Sequence, residues 1–498
     1  MRRRDVLRLS AAASFSAGAG ALVLGSRGGP ALPVGPAAEG TGPDPADMAQ
    51  MPGMSMVPIK GTVRPAAVLT PFTDAMPRLA DAVPTATTAD ADYYTINVQQ
   101  STAAIAPGAL TSILSYGGGF IGPTIRATRN RRVVAKFTNS LTESVVVHLH
   151  GGHTPAASDG FPTDEIVAGG TKVNTYPNTQ RAATLWYHDH LHMMEAPHVY
   201  QGLHGMYIIR DPWEDGLRLP SGRYDVPILL RDAYLNDDNS LLYDPFLDWT
   251  VVLANGKPRP YFPVAPRKYR FRFLNGSNHR AFSLTLSDGR PVVQIASDGG
   301  LLAAPVSTAS IEISSAERAE VVIDFSGCAH GTQLFLQDAT LGQVLRFDVT
   351  ESCGADLSQV PAQLAASLPP LPAANRTRSI ELSLTPDGNY FPINGQIFDP
   401  DRVDSRIALG STEIWTITDV SGWEHNFHLH LVQFRILDVN GLAPDPTQRG
   451  WKDTVVIPKN GVVRIQASFT DYPGKYVYHC HLLEHASYTG MMATMVVA

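Results

Sequence analysis

The sequence predicts an all-β protein of three consecutive β-sandwich domains, on the strength of three observations. Short β-branched and aromatic runs recur along the chain, among them Tyr93 to Val98, Arg132 to Phe137, Lys268 to Phe273, Glu320 to Phe325 and Glu413 to Ile417. Each is bounded by Gly, Pro, Asn or Asp, as strands between tight turns are. The 42 glycines and 38 prolines are spread along the chain, and no long pattern of helical period competes with the strands. A length of 498 residues accommodates three sandwiches of about 120 to 160 residues.

Taken in order, residues 1–30 stand apart from the fold. Arg2-Arg3-Arg4-Asp5 precedes a weakly apolar Ala/Gly/Ser stretch too short to span a bilayer. It resembles a twin-arginine export signal, which implies a periplasmic, extracellular or cell-envelope destination. Residues 31–91 are a Pro-rich linker and irregular arm containing Met48, Met51, Met54 and Met56. The thioethers suit transient Cu(I) binding, although a flexible tail with incidental methionines is the plainer reading. The three domains are expected at 92–214, 215–352 and 378–498. A linker at 353–377, with Leu368-Pro369-Pro370-Leu371-Pro372, precedes the last of them.

Composition narrows the function. With 44% apolar and 17% charged residues the chain has ample material for buried cores. A formal net charge of -7 and the lack of a basic run beyond the N-terminus argue against a nucleic-acid partner. No stretch of the mature chain is expected to insert stably in a membrane. Of the three cysteines, Cys480 lies among histidines. Cys328 and Cys353 are left as one disulfide, which an exported protein permits, or as two free thiols.

The chemistry lies in histidine spacing. Random placement of 16 histidines among 498 residues would give roughly half of one His-x-His pair. Five occur: His148/His150, His188/His190, His190/His192, His428/His430 and His479/His481. In a strand, residues two apart share a face and neighbours oppose, so each pair presents two imidazoles together. If Tyr476 to His481 is extended, His479 and His481 face one way and Cys480 the other. By the same parity His425 opposes His428 and His430 and belongs with Cys480. Adding His485, with a methionine nearby, gives the Cys-His-His-Met donor set of blue copper. A structural zinc site would leave the other paired imidazoles without a role.

The segments His148-Leu149-His150-Gly151, Trp186-Tyr187-His188-Asp189-His190, His425-x-x-His428-x-His430 and His479-Cys480-His481-x-x-x-His485 resemble, in order, the four copper-binding motifs of the multicopper oxidases. Ile121-Gly122-Pro123-Thr124, Asp298-Gly299-Gly300 and Trp451-Lys452-Asp453-Thr454 fit the same family. The bacterial laccase, spore-coat laccase and bilirubin oxidase branch is the nearest in character. The resemblance implies three cupredoxin-like Greek-key domains and four copper ions, with no other cofactor. His425, Cys480, His485 and Met491 would hold the type 1 ion, with Met492 as the alternative axial donor because the loop is one residue longer than usual. His148 and His428 would hold type 2 copper. His150, His188, His190, His430, His479 and His481 would hold the type 3 pair. Two further departures stand out: Asn426 occupies a position where the family commonly has proline, and Ala486 one where close relatives often have glutamate.

These assignments imply an oxidase that takes electrons singly from a phenol or aromatic amine. The electrons would pass through Cys480 to the histidines beside it and reduce dioxygen to water. Asp159, just after the first motif, matches a family acid near the cluster and is a candidate proton relay; its alternative role is a turn-forming Asp-Gly. Trp423 and Glu424 are candidates for the substrate entrance. The middle domain, which has only His279 and His330, is expected to act as a scaffold. The alternatives are a Cu(I) oxidase using the methionine arm, a bilirubin oxidase or phenoxazinone synthase activity, and a non-enzymatic copper carrier. The last expects lost ligands, and none is missing.

Overall fold

A computed structural model describes residues 60–247, 249–365 and 372–498. The signal-like region, the four methionines from Met48 to Met56 and the Leu368–Leu371 part of the linker lie outside the described residues.

Three pairs of sheets follow one another along the chain. Five-stranded and four-stranded sheets form between Ala86 and Arg210, seven-stranded and five-stranded sheets between Asp225 and Val349, and four-stranded and five-stranded sheets between Arg376 and Val497. Neighbours within each sheet are largely non-consecutive in sequence, as Greek-key crossovers require. All five runs read as strands lie in strands, Phe325 alone falling one residue past its strand end. Alternation produces the cores. In the third sandwich Trp415, Phe427, Phe469 and Tyr478 are buried with their rings in contact; each large side chain so buried contributes about 1.5–3 kcal/mol. No helix among the described residues is long and apolar enough to cross a membrane. The arm pairs at single positions with the first two sandwiches, through Lys60 with Tyr243, Ala66 with Asn236, Ala75 with Tyr261 and Asp81 with Thr124. Cys328 and Cys353 are free thiols.

The elements that carry the histidines are β1 (Val147–His150), β2 (Ala183–Asp189), α1 (Glu195–Gln201), β3 (His425–Leu429), β4 (Gly474–Cys480), α2 (Leu483–Thr489) and β5 (Met492–Val497). β1 pairs with β2 so that His148 sits opposite His188, and β3 pairs with β4 so that His428 sits opposite His479. Each half of the cluster is therefore set by the register of one antiparallel pair.

The middle sandwich is joined to the others by buried polar side chains. Arg318 and Glu320, two apart on one strand, project from the same face. Glu320 accepts from Thr184 of the first domain at 2.7 Å and is paired with Arg270 and Arg272. Arg318 donates to the Thr184 carbonyl at 2.9 Å and is paired with Asp453 of the third domain. Asn278 donates to Glu484 on α2 at 2.9 Å. The scaffold expected from the shortage of histidines thus reaches into the surroundings of the site itself.

Candidate metal centre

Ten of the histidines, with Cys480, assemble into two buried groups about one residue apart on the chain. His425, Cys480 and His485 form one. The sulfur lies 3.7 Å from His425 Nδ1 and 3.6 Å from His485 Nδ1, and the two nitrogens are 3.1 Å apart. The His425 ring is held by its far side: Nε2 donates to Ser421 Oγ at 2.8 Å, which donates to Asp419. His485 is stacked under Phe391, with centroids 4.6 Å apart.

Met491 is fully buried in the same apolar cluster as Cys480, and its carbonyl accepts the Cys480 N–H at 3.0 Å. Met492 pairs with His479 across β4 and β5 and packs with Val477, so alternation leaves Met491 on the Cys480 side. The extra loop residue is absorbed at the end of α2. Gly490 adopts φ +71 there as a left-handed cap, and a Cβ on it would meet Ile397 at 3.0 Å, so glycine suits both the angle and the space.

The second group brings together His148, His150, His188, His190, His428, His430, His479 and His481. Nε2 of His479 lies 3.2 Å from Nε2 of both His190 and His430. Nε2 of His148, His188, His428 and His481 and Nδ1 of His150 are buried without a hydrogen-bond partner. Their opposite nitrogens are engaged by protein oxygens. Nδ1 of His148 meets the Asp159 carbonyl at 2.5 Å, that of His188 the Asp189 carbonyl at 2.8 Å, and that of His428 the Asp453 carbonyl at 2.7 Å. His430 donates to Asp159 Oδ2 at 2.8 Å, His479 to the Cys480 carbonyl at 3.0 Å and His150, through Nε2, to Asp453 Oδ1 at 3.0 Å. His481 Nδ1 is 3.5 Å from Ser315 Oγ. An imidazole tied by one nitrogen presents the lone pair of the other. Five orphaned nitrogens would be costly in an apolar interior, and metal coordination is what such a donor set satisfies. Burial, with neighbouring imidazoles adding to it, pushes these histidines below their ordinary pKa, His188 to about 3 and His479 to about 4. They are therefore neutral, with free lone pairs, at physiological pH.

All the residues assigned as copper donors by motif and parity thus fall in these two groups, but His192, expected to share a face with His190, does not: its ring lies against Phe398 instead, with centroids 5.0 Å apart. Cys480 faces one while His479 and His481 face the other, although β4 ends at Cys480. Asp159 is fully buried and bonded to His430 and, through its carbonyl, to His148, so it is more than a turn residue. Burial lifts its carboxyl well above the usual range, and Oδ1 has no partner. Trp423 packs near Phe391, and burial with Glu317 nearby pushes Glu424 up to about 7. Among the histidines outside the motifs, which with His192, Met193 and Met194 could form either an accessory copper surface or ordinary packing, His198 bridges Asp189 and Glu143, and His204 donates to the Val199 carbonyl at 3.0 Å, which are packing roles.

Sequence reasoning missed four contributors. Glu195 on α1 is buried with its carboxylate oxygens 3.7 Å from His188 Nδ1 and 3.9 Å from His190 Nδ1. Its only sequence signal was a lone carboxylate in the mostly apolar run from Leu191 to Tyr200. Ser315 and Arg318 come from the middle domain, and Asp453 was noted as part of a motif without a role.

Residues 97–214 and 372–498 each match a family model described as multicopper oxidase. A laccase of Bacillus stratosphericus is 36% identical over 459 residues, covering 76% of this chain and 90% of the relative. A bilirubin oxidase of Albifimbria verrucaria is 35% identical, across 80% of this chain and 76% of the relative. The crystal structure of a laccase from Pediococcus acidilactici is similar at a TM-score of 0.81 and 32% identity, covering 88% of this chain and 96% of the other.

Proposed function

The chain belongs to the multicopper oxidase family, and from that premise we propose that its ten motif histidines, Cys480 and Met491 hold four copper ions. It is a laccase-like copper oxidoreductase with dioxygen as electron acceptor. The observation that carries the copper assignment is the single residue separating the two donor groups: Cys480 Sγ meets His425 and His485, while its chain neighbours His479 and His481 turn to the cluster.

Within that reading His425, Cys480, His485 and Met491 hold the type 1 ion and His148 and His428 the type 2 ion. The type 3 pair is held by His150, His188 and His481 on one side and His190, His430 and His479 on the other. Copper bound there would supply the one-electron chemistry that side chains lack, so that single electrons from a reductant could be gathered for the reduction of dioxygen to two waters by four electrons and four protons. The protein orients the donors, excludes water and holds protons. Asp159 Oδ2 fixes His430, which leaves Oδ1, buried without a partner, as the atom that can take up and release a proton. Glu195, raised well above the usual range by burial with Asp189 and Glu484 adding to it, holds another beside His188 and His190. It lies on α1, which packs against α2 through the Ala196 N–H to Ser487 Oγ at 3.2 Å; Ala486 of α2 carries no carboxylate of its own.

The reductant is a phenol or aromatic amine, and the bilirubin oxidase relative extends the class to tetrapyrroles. Supporting this, the aromatic Phe391 covers His485, and Tyr390 and Ile397 at the surface flank it along the chain, 42% and 45% exposed. Export by the twin-arginine route places the enzyme outside the cytoplasm.

Copper loading followed by visible spectroscopy and oxygen uptake tests the reading. Four coppers per chain, a blue band, and faster uptake with a phenol, an aminophenol or bilirubin than with Cu(I) are expected. A colourless protein holding fewer ions would refute it. Asp159→Asn should lower turnover by about 10²-fold and leave the blue band in place; unchanged oxygen uptake would remove Asp159 from the proton path.

A further inference from the structure

We propose that a cleft where the first domain meets the second binds the carboxylate of a single-ring aromatic acid, with Arg181 as its cation and Trp213 as its stacking wall. The cleft shares no residue with either donor group, so the inference stands apart from the copper assignment.

Size and lining select the ring. The cleft encloses about 190 Å³, against the roughly 300–1,000 Å³ of pockets that take drug-sized ligands, which leaves space for one ring and a small polar group. Ala182, Leu301 and Ala365 line it and are buried, giving it an apolar floor. Trp213 lines it too and is 53% exposed. The indole is held there by the helical turn Pro212–Asp215, in which the Trp213 N–H donates to Asp211 Oδ1 at 3.0 Å. A ring laid against it would cover aromatic surface that folding leaves in water.

Charge selects the carboxylate. Arg181 has no ion-pair partner among the described residues; one of its nitrogens donates to the Leu301 carbonyl at 3.2 Å, and Nε is buried without a partner. The neighbouring carboxylates are committed elsewhere: Asp211 is paired with Arg129 at 2.9 Å, and Glu214 lies 3.6 Å from Arg270. Burial pushes Arg181 below its ordinary pKa; Glu214 and Asp211 oppose that shift, while Arg129 and Arg435 reinforce it. A guanidinium stays protonated all the same, and a planar carboxylate is the partner its fork of donors fits. Because Asp211 and Glu214 also line the cleft, their repulsion favours a monoanion over a dianionic phosphate.

The test is the binding of benzoate to the copper-loaded full chain, followed by titration calorimetry and saturation-transfer NMR. Benzoate has the ring and the carboxylate but no phenol hydroxyl, so it gives no electrons to the protein. The parent is expected to bind it at least about tenfold more tightly than benzamide, which lacks the charge, and than acetate, which lacks the ring. Arg181→Gln should weaken benzoate binding by about 10–100-fold, and Trp213→Ala by about tenfold. A parent that does not bind benzoate, benzamide or acetate binding as tightly as benzoate, or either variant with the parent's affinity overturns the proposal. Should Arg181→Gln fail to fold, Trp213→Ala decides together with the three ligands on the parent, since the exposed indole can be removed without opening a core.

Discussion

Cys480→Ser is expected to abolish the blue band and reduce turnover to that of the copper-free protein, while the protein still folds. The sulfur is the one soft anionic donor in its group, 3.6 to 3.7 Å from two imidazole nitrogens. Burial pushes the free thiol up to about 12, but a coordinated thiol loses its proton outright. A serine hydroxyl, far less acidic and harder, does neither job. The fold has little reason to fail, because serine is close in volume and its oxygen can accept the Asn426 N–H, which keeps the cost to about 1–3 kcal/mol. Far-ultraviolet circular dichroism and thermal unfolding report the fold, visible absorption the site, and oxygen uptake the turnover. A folded variant that lacks the band but retains turnover would contradict electron entry through Cys480.

What sequence could reveal of this site was decided by distance along the chain. The split of Cys480 from His479 and His481 was legible because alternation in a strand is local geometry, and the opposition of His425 to His428 and His430 followed from the same period of two. The three sandwiches were legible for a similar reason, since strands such as Arg132–Asn139 declare themselves by their own residues. The residues around the donors were not. Glu195 reaches His188 and His190 only because α1 folds back on β2, and Ser315 reaches His481 only because the second and third sandwiches dock. Neither contact leaves a periodic trace. The longer loop before Met491 is the intermediate case: its length was visible, but that Gly490 would absorb the extra residue as a helix cap depends on α2, a helix of 7 residues, too short to announce itself by period.

Asp453→Ala should be the most damaging change away from the donors themselves, because this carboxylate is where the three domains meet. Its Oδ1 accepts from His150 of the first domain at 3.0 Å, its carbonyl accepts from His428 of its own domain at 2.7 Å, and Arg318 of the middle domain grips both carboxylate oxygens. The packing around it is tight. Gly151 adopts φ +79, and a Cβ there would come within 2.5 Å of Asp453 Oδ2. Burial raises the carboxyl's pKa while Arg318 opposes the shift. Removing the side chain leaves the fully buried Arg318 guanidinium with backbone carbonyls and the more distant Asp298, 3.8 Å away, as partners. Breaking a buried pair in this way costs about 3–5 kcal/mol. His150 loses the charged acceptor that holds the proton on Nε2 and the lone pair on Nδ1, and keeps only the Thr454 hydroxyl at 3.1 Å; loss of such a partner typically weakens metal binding by about 10–100-fold. The variant is therefore expected to unfold at lower temperature and to lose cluster copper in preference to the Cys480 site, so that the blue band persists while oxygen uptake collapses. Asp453→Asn, which keeps one acceptor oxygen, should fall between the two. Copper counting with visible absorption on the same samples checks this order: loss of the blue band ahead of cluster copper, or full copper content in Asp453→Ala, would show that His150 is held by other groups.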